Sequence, residues 1–430
     1  MNAHQPSSSS PTASTPAVKF DALLARVLDS NAFYRRKYDA AGIALDSRPN
    51  LTNLAHLPYT TKEELAKDQA EHPPFGSNLT HSVDRYSRMH QTSGTTGIPL
   101  RWLDTPESWE WWLSCWRRIY AAAGVTRQDR IFVAFSFGPF IGFWTAFEAG
   151  QSLGAMMLAG GGLTSVQRLE TLLANAATVL VCTPTYALRL AQVASNAGLD
   201  ITGSSVRLTI HAGEPGASIP SVRARLESAW GARCIDHAGA TEVGAWGHGC
   251  SEANHLHVIE DEFIPEVIDS NTQLPVPASE GVQAGELVLT NLGRVGSPVI
   301  RYRTGDLVEL VRAPCPCGLD TVFLKGGVLG RADNMIIVRG VNVYPSVLED
   351  LVRGFDEVGE FEVELQAQRE MSEIVIRIEI GSIGGESIAQ RLSDSIHQRL
   401  NVRARVDPVA PGTLPRHEMK ARRYVIRSRG

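Results

Sequence analysis

No stretch of this 430-residue chain stays apolar for long: runs such as Ile131 to Phe137 and Thr178 to Cys182 fall far short of the ~20 residues that span a bilayer. A membrane protein is therefore not expected. Nor does the beginning of the chain carry the apolar core of a secretory signal, so a cytoplasmic location is expected. Cysteine is scarce, six residues at 115, 182, 234, 250, 315 and 317, and in a cytosolic chain these are thiols or metal ligands. An excess of positive charge is missing too. The net charge is -5, which argues against a general nucleic-acid binder, since that would need a basic face. The chain shows no internal repeat.

What is present is ordinary globular material, 43% hydrophobic and 20% charged, enough for two or three domains. Residues 1 to 17 are the exception: they are rich in Ser, Pro and Thr without an apolar period and read as a disordered tail. The other end is basic. Arg416 to Gly430 holds five Arg, one Lys and one Glu, either a solvated end or a segment that faces phosphates.

The most informative segment runs Gln91-Thr92-Ser93-Gly94-Thr95-Thr96-Gly97-Ile98-Pro99-Leu100. Its glycines let backbone N–H groups converge on an anion, with four hydroxyls beside them. The nucleotide loop known as Walker A also needs a lysine, and none occurs between Ser87 and Arg101. A different phosphate loop is one reading; a polar surface turn is the other.

Periodicity predicts helices over Val18 to Arg48, Glu107 to Ala123 with its four tryptophans, Thr164 to Asn175, Pro184 to Ala197 and Ser218 to Ala229. Strands are predicted over Arg130 to Phe137, Ala177 to Thr183 and Val206 to Ala212, so this part reads as α/β, parallel sheet covered by helices. The segment leading to Asp84 reads as irregular. From Phe263 the pattern turns to strands bounded by turns: Pro265 to Asp269, Gly285 to Thr290, Val299 to Arg303 and Asp306 to Val311. After Gly330 come the strand Met335 to Val338, a helix from Pro345 to Phe355, alternating strands at Phe361 to Leu365 and Ile374 to Ile380, an i, i+4 stripe at Ile388, Leu392, Ile396 and Leu400, and the alternation Val402 to Val406. That is a small α+β domain.

Six segments, in order, resemble the adenylate-forming superfamily, and most closely its phenylacetate-CoA ligase-like branch of aryl-CoA ligases. They are Thr92 to Gly97; His211-Ala212-Gly213-Glu214-Pro215; Ala238-Gly239-Ala240-Thr241-Glu242; Arg301-Tyr302-Arg303-Thr304-Gly305-Asp306-Leu307; Gly330 to Pro345; and Leu414 to Arg423. The similarity covers about Phe20 to Arg427. It implies a large N-terminal domain of helix-covered sheets over 18–330, with a β-rich part over about 263–330, and a small mobile C-terminal domain over 331–430. It also implies ATP-dependent activation of an aromatic acid (benzoate, aminobenzoate or arylacetate) to an acyl-adenylate, then transfer to CoA. Transfer to a carrier-protein thiol or an amine is the alternative. A homodimer is the family expectation.

The resemblance assigns roles by position. Ser93, Gly94, Thr95, Thr96 and Gly97 hold phosphates, and Gly213, Glu214 and Pro215 with Asp236 line the adenine pocket. Thr241 belongs to the nucleotide site, and Asp306 accepts the ribose hydroxyls. Arg331 and Arg339 face phosphates of ATP or CoA, and Asp333 is the hinge about which the small domain turns. Glu242 suits Mg²⁺, a hard cation that prefers carboxylate and phosphate oxygens. Lys420 supplies the compact positive charge that bridges substrate carboxylate and α-phosphate; Thr95, Glu242 and Lys420 form the catalytic set. Phe135, Phe137, Phe140, Ile141 and Gly142, with His237, Ala238 and Gly239, line the acid pocket. The bulk of Phe143 and Trp144 points to a compact acid of the benzoate or aminobenzoate kind.

Cys315-Pro316-Cys317 is a compact dithiol, with Cys250, His255 and His257 upstream. Three thiolates and one imidazole suffice for a closed tetrahedral Zn²⁺ site. Some family members resemble this arrangement, and His257 matches it better than His255. Buried thiols beside an exposed histidine are the plain alternative.

Overall fold

The computed structural model describes residues 15–43, 50–92, 99–139, 141–332, 336–338, 341–368, 371–381, 385–416 and 423–428. Ser93, Gly94, Thr95, Thr96, Gly97, Phe140, Asp333, Arg339 and Lys420 lie outside them.

Helices start where the sequence supplies caps. Thr105 accepts a bond from the Ser108 N–H and Pro106 fills the first turn of Pro106–Ala122, whose four tryptophans are buried. Thr183 and Pro184 repeat the device for Pro184–Asn196. The expected helix from Val18 to Arg48 is two: Pro16–Ser30 and Ala32–Ala40, because the Asn31 side chain caps a new start. Residues 15–17, expected in the tail, begin the first of them. The segment read as irregular contains Lys62–Glu71, opened by a full capping box of Thr61 and Glu64.

One sheet organises the large domain. Its parallel part runs, in space, Met156–Ala159, Arg130–Val133, Val179–Cys182, Leu208–His211 and Arg233–Ala240. In chain order this is 2-1-3-4-5, so the crossovers reverse direction beside Arg130–Val133 and open a crevice at the carboxyl ends of the strands. Arg233–Ala240 pairs parallel as far as Asp236, then turns antiparallel to Gly244–Gly249 from His237 onward. Through it the sheet continues as His255–Val258, Phe323–Lys325, Tyr302–Val311, Val282–Asn291 and Phe263–Ile268. The β-rich part thus begins upstream of the expected 263 and is hydrogen-bonded to the parallel part. Two expected strands, Val299 to Arg303 and Asp306 to Val311, are replaced by one, Tyr302–Val311; Arg301, with φ +50°, turns the chain before it. The strand expected to reach Phe137 stops at Val133, which frees the aromatic stretch as a loop.

The small domain has its own four-stranded sheet, in the order Ala404–Val409, Met371–Ile380, Val358–Gln368 and Tyr424–Ser428. Pro345–Arg353 and Gly385–Leu400 complete a core around Leu348, Phe361, Ile376 and Leu392, distinct from the core clusters of the large domain. Gly330–Arg331 still pairs with Tyr302–Val311, so the large sheet extends past the expected boundary at 331. Among the described residues no helix is long and apolar enough to cross a membrane.

Candidate active site

Several of the sequence-predicted residues gather at the carboxyl edge of the parallel strands. Phe135 and Phe137 follow Arg130–Val133; Gly213, Glu214 and Pro215 follow Leu208–His211; Asp236 and His237 stand where Arg233–Ala240 changes partner. The first of these loops is an aromatic cluster. Phe135 meets Phe143 at 5.2 Å and Phe137 at 6.1 Å between ring centroids, and Phe137 meets Trp144 at 4.8 Å, all edge to face. Gly142 has φ +40°, and a Cβ there would stand 2.2 Å from the Phe135 ring. Any side chain at 142 would displace that ring. Ile141 is buried behind the loop.

The segment expected to hold phosphates lies between two short antiparallel strands, Arg88–Gln91 and Arg101–Asp104. Thr92 and Leu100 close its base, through Thr92 N–H to Leu100 O at 2.9 Å and Leu100 N–H to Thr92 Oγ1 at 3.0 Å. The Gln91 N–H bonds Pro139 O at 2.8 Å, which ties the end of the strand Arg88–Gln91 to the aromatic loop.

Glu214 is held by the helix Pro184–Asn196: its Oε1 accepts the Thr185 N–H at 2.9 Å. Asp236 is half-buried. It accepts a hydrogen bond from Ser218 Oγ and another, at 3.0 Å, from the His237 N–H. Burial outweighs both and pushes its carboxyl up from 3.8 to about 6. A raised carboxyl loses nothing at low pH; its ionised form is disfavoured in the fold, so stability falls as pH climbs through 6. Asp236→Asn should therefore gain about 2 kcal/mol relative to the parent between pH 4.5 and 7.5, measured by urea unfolding without ligand. An unchanged difference between the two pH values would refute the assignment.

His237 sits against Trp116, ring centroids 4.3 Å apart, beside Ala238 and Gly239. Its Nδ1 lies 2.7 Å from Gly247 O. A carbonyl only accepts, so Nδ1 carries the proton and Nε2 keeps its lone pair. Burial holds the ring neutral, its pKa down at about 4.

Two residues missed in the sequence tie the site together. The Arg294 guanidinium, fully buried, takes both Asp104 carboxylate oxygens at 2.7 Å and donates to Thr241 O at 2.6 Å and Glu242 O at 3.2 Å. Trp102 and Trp112 flank it at 5.1 and 5.3 Å. The strand Arg101–Asp104 and the turn bearing Glu242 thus share one anchor. Glu242 is nearly buried, its Oε1 3.8 Å from Lys62 Nζ. Asp306 pairs across strands with Arg331, Oδ1 to Nη1 at 3.2 Å, and Arg331 also donates to Thr304 O at 2.7 Å.

Away from this edge, the four predicted metal ligands come together. One ligand atom each of Cys250, His257, Cys315 and Cys317 lies within 4.8 Å of the others. Cys250 and Cys315 sulfurs are 3.6 Å apart, and His257 Nε2 is 3.3 Å from Cys317 Sγ. Edges of a tetrahedron with zinc–sulfur bonds of this type are about 3.8 Å, so the donors fit. His257 Nδ1 meets Thr321 Oγ1 at 3.0 Å, an outer contact that orients the ring. His255 stacks on Phe323 at 4.3 Å and reaches only Cys315, its Nδ1 3.7 Å from that sulfur, and is not one of the four that gather.

Comparison with known proteins decides the family. The phenylacetate-coenzyme A ligase of Escherichia coli K12 is 30% identical over 400 residues, covering 90% of this chain and 88% of that protein. The chain belongs to the phenylacetate-CoA ligase family. Residues 340–429 match the AMP-binding enzyme C-terminal domain. A solved 2-hydroxyisobutyryl-CoA ligase, in the postadenylation state with 2-HIB-AMP, superposes with a TM-score of 0.90 at 28% identity, covering 99% of this chain and 94% of that one. The same ligase in its thioesterification state, with CoA, gives 0.71 at 29% identity, covering 96% and 89%. The chain is accordingly an AMP-forming acid:CoA ligase of this family.

Proposed function

We propose that the protein activates an aromatic carboxylic acid with ATP and passes the acyl group to CoA. The acid's carboxylate oxygen attacks the α-phosphorus and pyrophosphate leaves; the CoA sulfur then attacks the acyl carbon and AMP leaves. The observation that carries this reading is the convergence of the aromatic loop, Glu214, Asp236 and His237 on one carboxyl edge, at the crevice where such sheets bind ligands. Gly213, Glu214, Pro215 and Asp236 would hold adenine, Asp306 the ribose, and Arg331 a phosphate. Thr241 and Glu242, fixed by Arg294, would present the carboxylate for Mg²⁺, which neutralises phosphate charge when bound. Ser93, Gly94, Thr95, Thr96 and Gly97 would cradle the β- and γ-phosphates. Lys420 would bridge carboxylate and α-phosphate, and the small domain would turn about Asp333 between the two half-reactions. The Cys250, His257, Cys315 and Cys317 cluster would hold a structural zinc.

The acid's ring would lie among Phe135, Phe137, Ile141, Gly142, Ala238 and Gly239, with Phe140 on the same loop. His237 Nε2, an acceptor, suits an amino or hydroxyl substituent, which favours aminobenzoate over plain benzoate. The tight seat of Phe135 on Gly142 supports a second reading, a small branched hydroxy acid, in line with the 2-hydroxyisobutyryl-CoA ligase. Pyrophosphate release across benzoates, aminobenzoates, arylacetates and short hydroxy acids separates them. The expected result is fastest turnover with an amino- or hydroxybenzoate; activity confined to aliphatic acids would overturn the aromatic reading.

A further inference from the structure

The small domain meets the large one along a polar seam centred on Arg423. On its own side, Arg423 Nε donates to Glu360 Oε1 at 2.8 Å and Nη1 reaches Glu349 Oε1 at 3.2 Å, while Arg353 shares Glu360 at 2.9 Å. Burial alone would raise the Glu360 carboxyl, but the two guanidinium groups hold it down at about 2. On the other side, both terminal nitrogens of Arg423 lie 3.4 Å from Thr185 Oγ1. Thr185 opens the helix Pro184–Asn196, and its N–H is the one that binds Glu214.

Two further contacts flank this one. The Ser221 N–H bonds Asp350 Oδ1 at 3.1 Å, and Arg225 donates to Phe355 O at 2.5 Å and Val358 O at 3.2 Å. A cavity of about 710 Å³ lies beside the seam, lined by Thr185, Arg225, Glu360 and Arg423 among others. The junction is therefore polar and partly open rather than a shared apolar core, the kind that permits domains to part. This chain matches the postadenylation state of its structural relative at 0.90 and the thioesterification state at 0.71, so the contacts described belong to the former arrangement.

Arg423 stands three residues after Lys420, a span of at most ~10 Å. We propose that Arg423 is a positioning residue: its bond to Thr185 docks the Lys420 segment against the helix that holds Glu214, and this bond is made for adenylation and released for thioester formation. The proposal rests on the reading of Lys420 as the adenylation cation. Arg423 does not touch the reacting atoms. It acts by coupling the end of the small domain to the nucleotide edge, so it supports one half-reaction and not the other.

The direct variant, Arg423→Ala, strands Glu360 and Glu349 without their partner and endangers the small domain itself. Thr185→Val avoids this. It removes the hydroxyl, keeps the shape and leaves both the Thr185-position N–H and the Arg423–Glu360 pair in place. Two half-reactions are measured on the full-length protein: single-turnover pyrophosphate release from ATP and acid, and acyl-CoA formation from supplied acyl-adenylate and CoA. Adenylation is expected to fall about tenfold, in line with the loss of hydrogen bonds to a charged group, while the thioester step stays within about twofold. Arg225→Met is expected to give the same split. An equal fall in both steps, or no change in either, would overturn the proposal. Lys420→Ala in the same assays tests the reading beneath it: if that variant adenylates at the parent rate, the reading falls and the proposal with it.

Discussion

Lys420→Ala should lower pyrophosphate release by at least about a hundredfold, the scale seen when one preorganised donor to a developing charge is removed. Adenylation brings a carboxylate against a phosphate that is already negative, and the barrier is largely that repulsion. A single ammonium placed between them is worth more in the transition state than in the ground state, because the charges approach only as the bond forms. The loss is therefore expected in kcat, with KM for ATP and acid changing far less. The described residues fix both flanks of the segment: Arg416 pairs with Glu379, whose Oε1 also accepts the Leu414 N–H at 2.7 Å, and Arg423 pairs with Glu360. Acyl-CoA formation from supplied acyl-adenylate should continue in the variant. Parent-like pyrophosphate release would remove Lys420 from the mechanism.

Loss of the Cys250, His257, Cys315 and Cys317 cluster is the other large effect expected. Cys250 and Cys315 are 65 residues apart in the chain, so a metal they share would tie together segments remote in sequence. Structural zinc adds its own binding energy to folding. Protein purified without chelator should contain one zinc per chain. Cys315→Ser should lose it and unfold at markedly lower urea, while the molecules that remain folded still adenylate. A parent without zinc, or a Cys315→Ser variant as stable as the parent, would reduce the cluster to buried thiols.

Much of this was legible before the structure because the signals are local. Alternation at Ile374, Ile376 and Ile378 gives a strand that turns those residues into the small domain's core, and Thr–Pro pairs at 105–106 and 183–184 start helices at the expected places. The capping box at Thr61 and Glu64 was an equally local signal, masked by a helix whose only buried apolar side chain is Leu65. Other features have no local signature. Arg294 and Asp104 are 190 residues apart, and a buried ion pair of that kind reads in the sequence as two ordinary surface charges. The switch of Arg233–Ala240 from parallel to antiparallel pairing at Asp236 and His237 depends on two neighbours brought in from opposite directions along the chain. The grouping of His257 rather than His255 with the three cysteines is likewise invisible in the sequence: it depends on where Cys315 and Cys317, some 60 residues on, meet the strand that carries both histidines.

The central claim, an acid activated as its adenylate and delivered to CoA, is tested most directly by following AMP with a purified acid, ATP and Mg²⁺, with and without CoA. The account predicts a single stoichiometric burst of pyrophosphate without CoA, and continuous release of AMP and acyl-CoA in equal amounts once CoA is added. AMP release at one rate regardless of CoA, with no thioester formed, would contradict it.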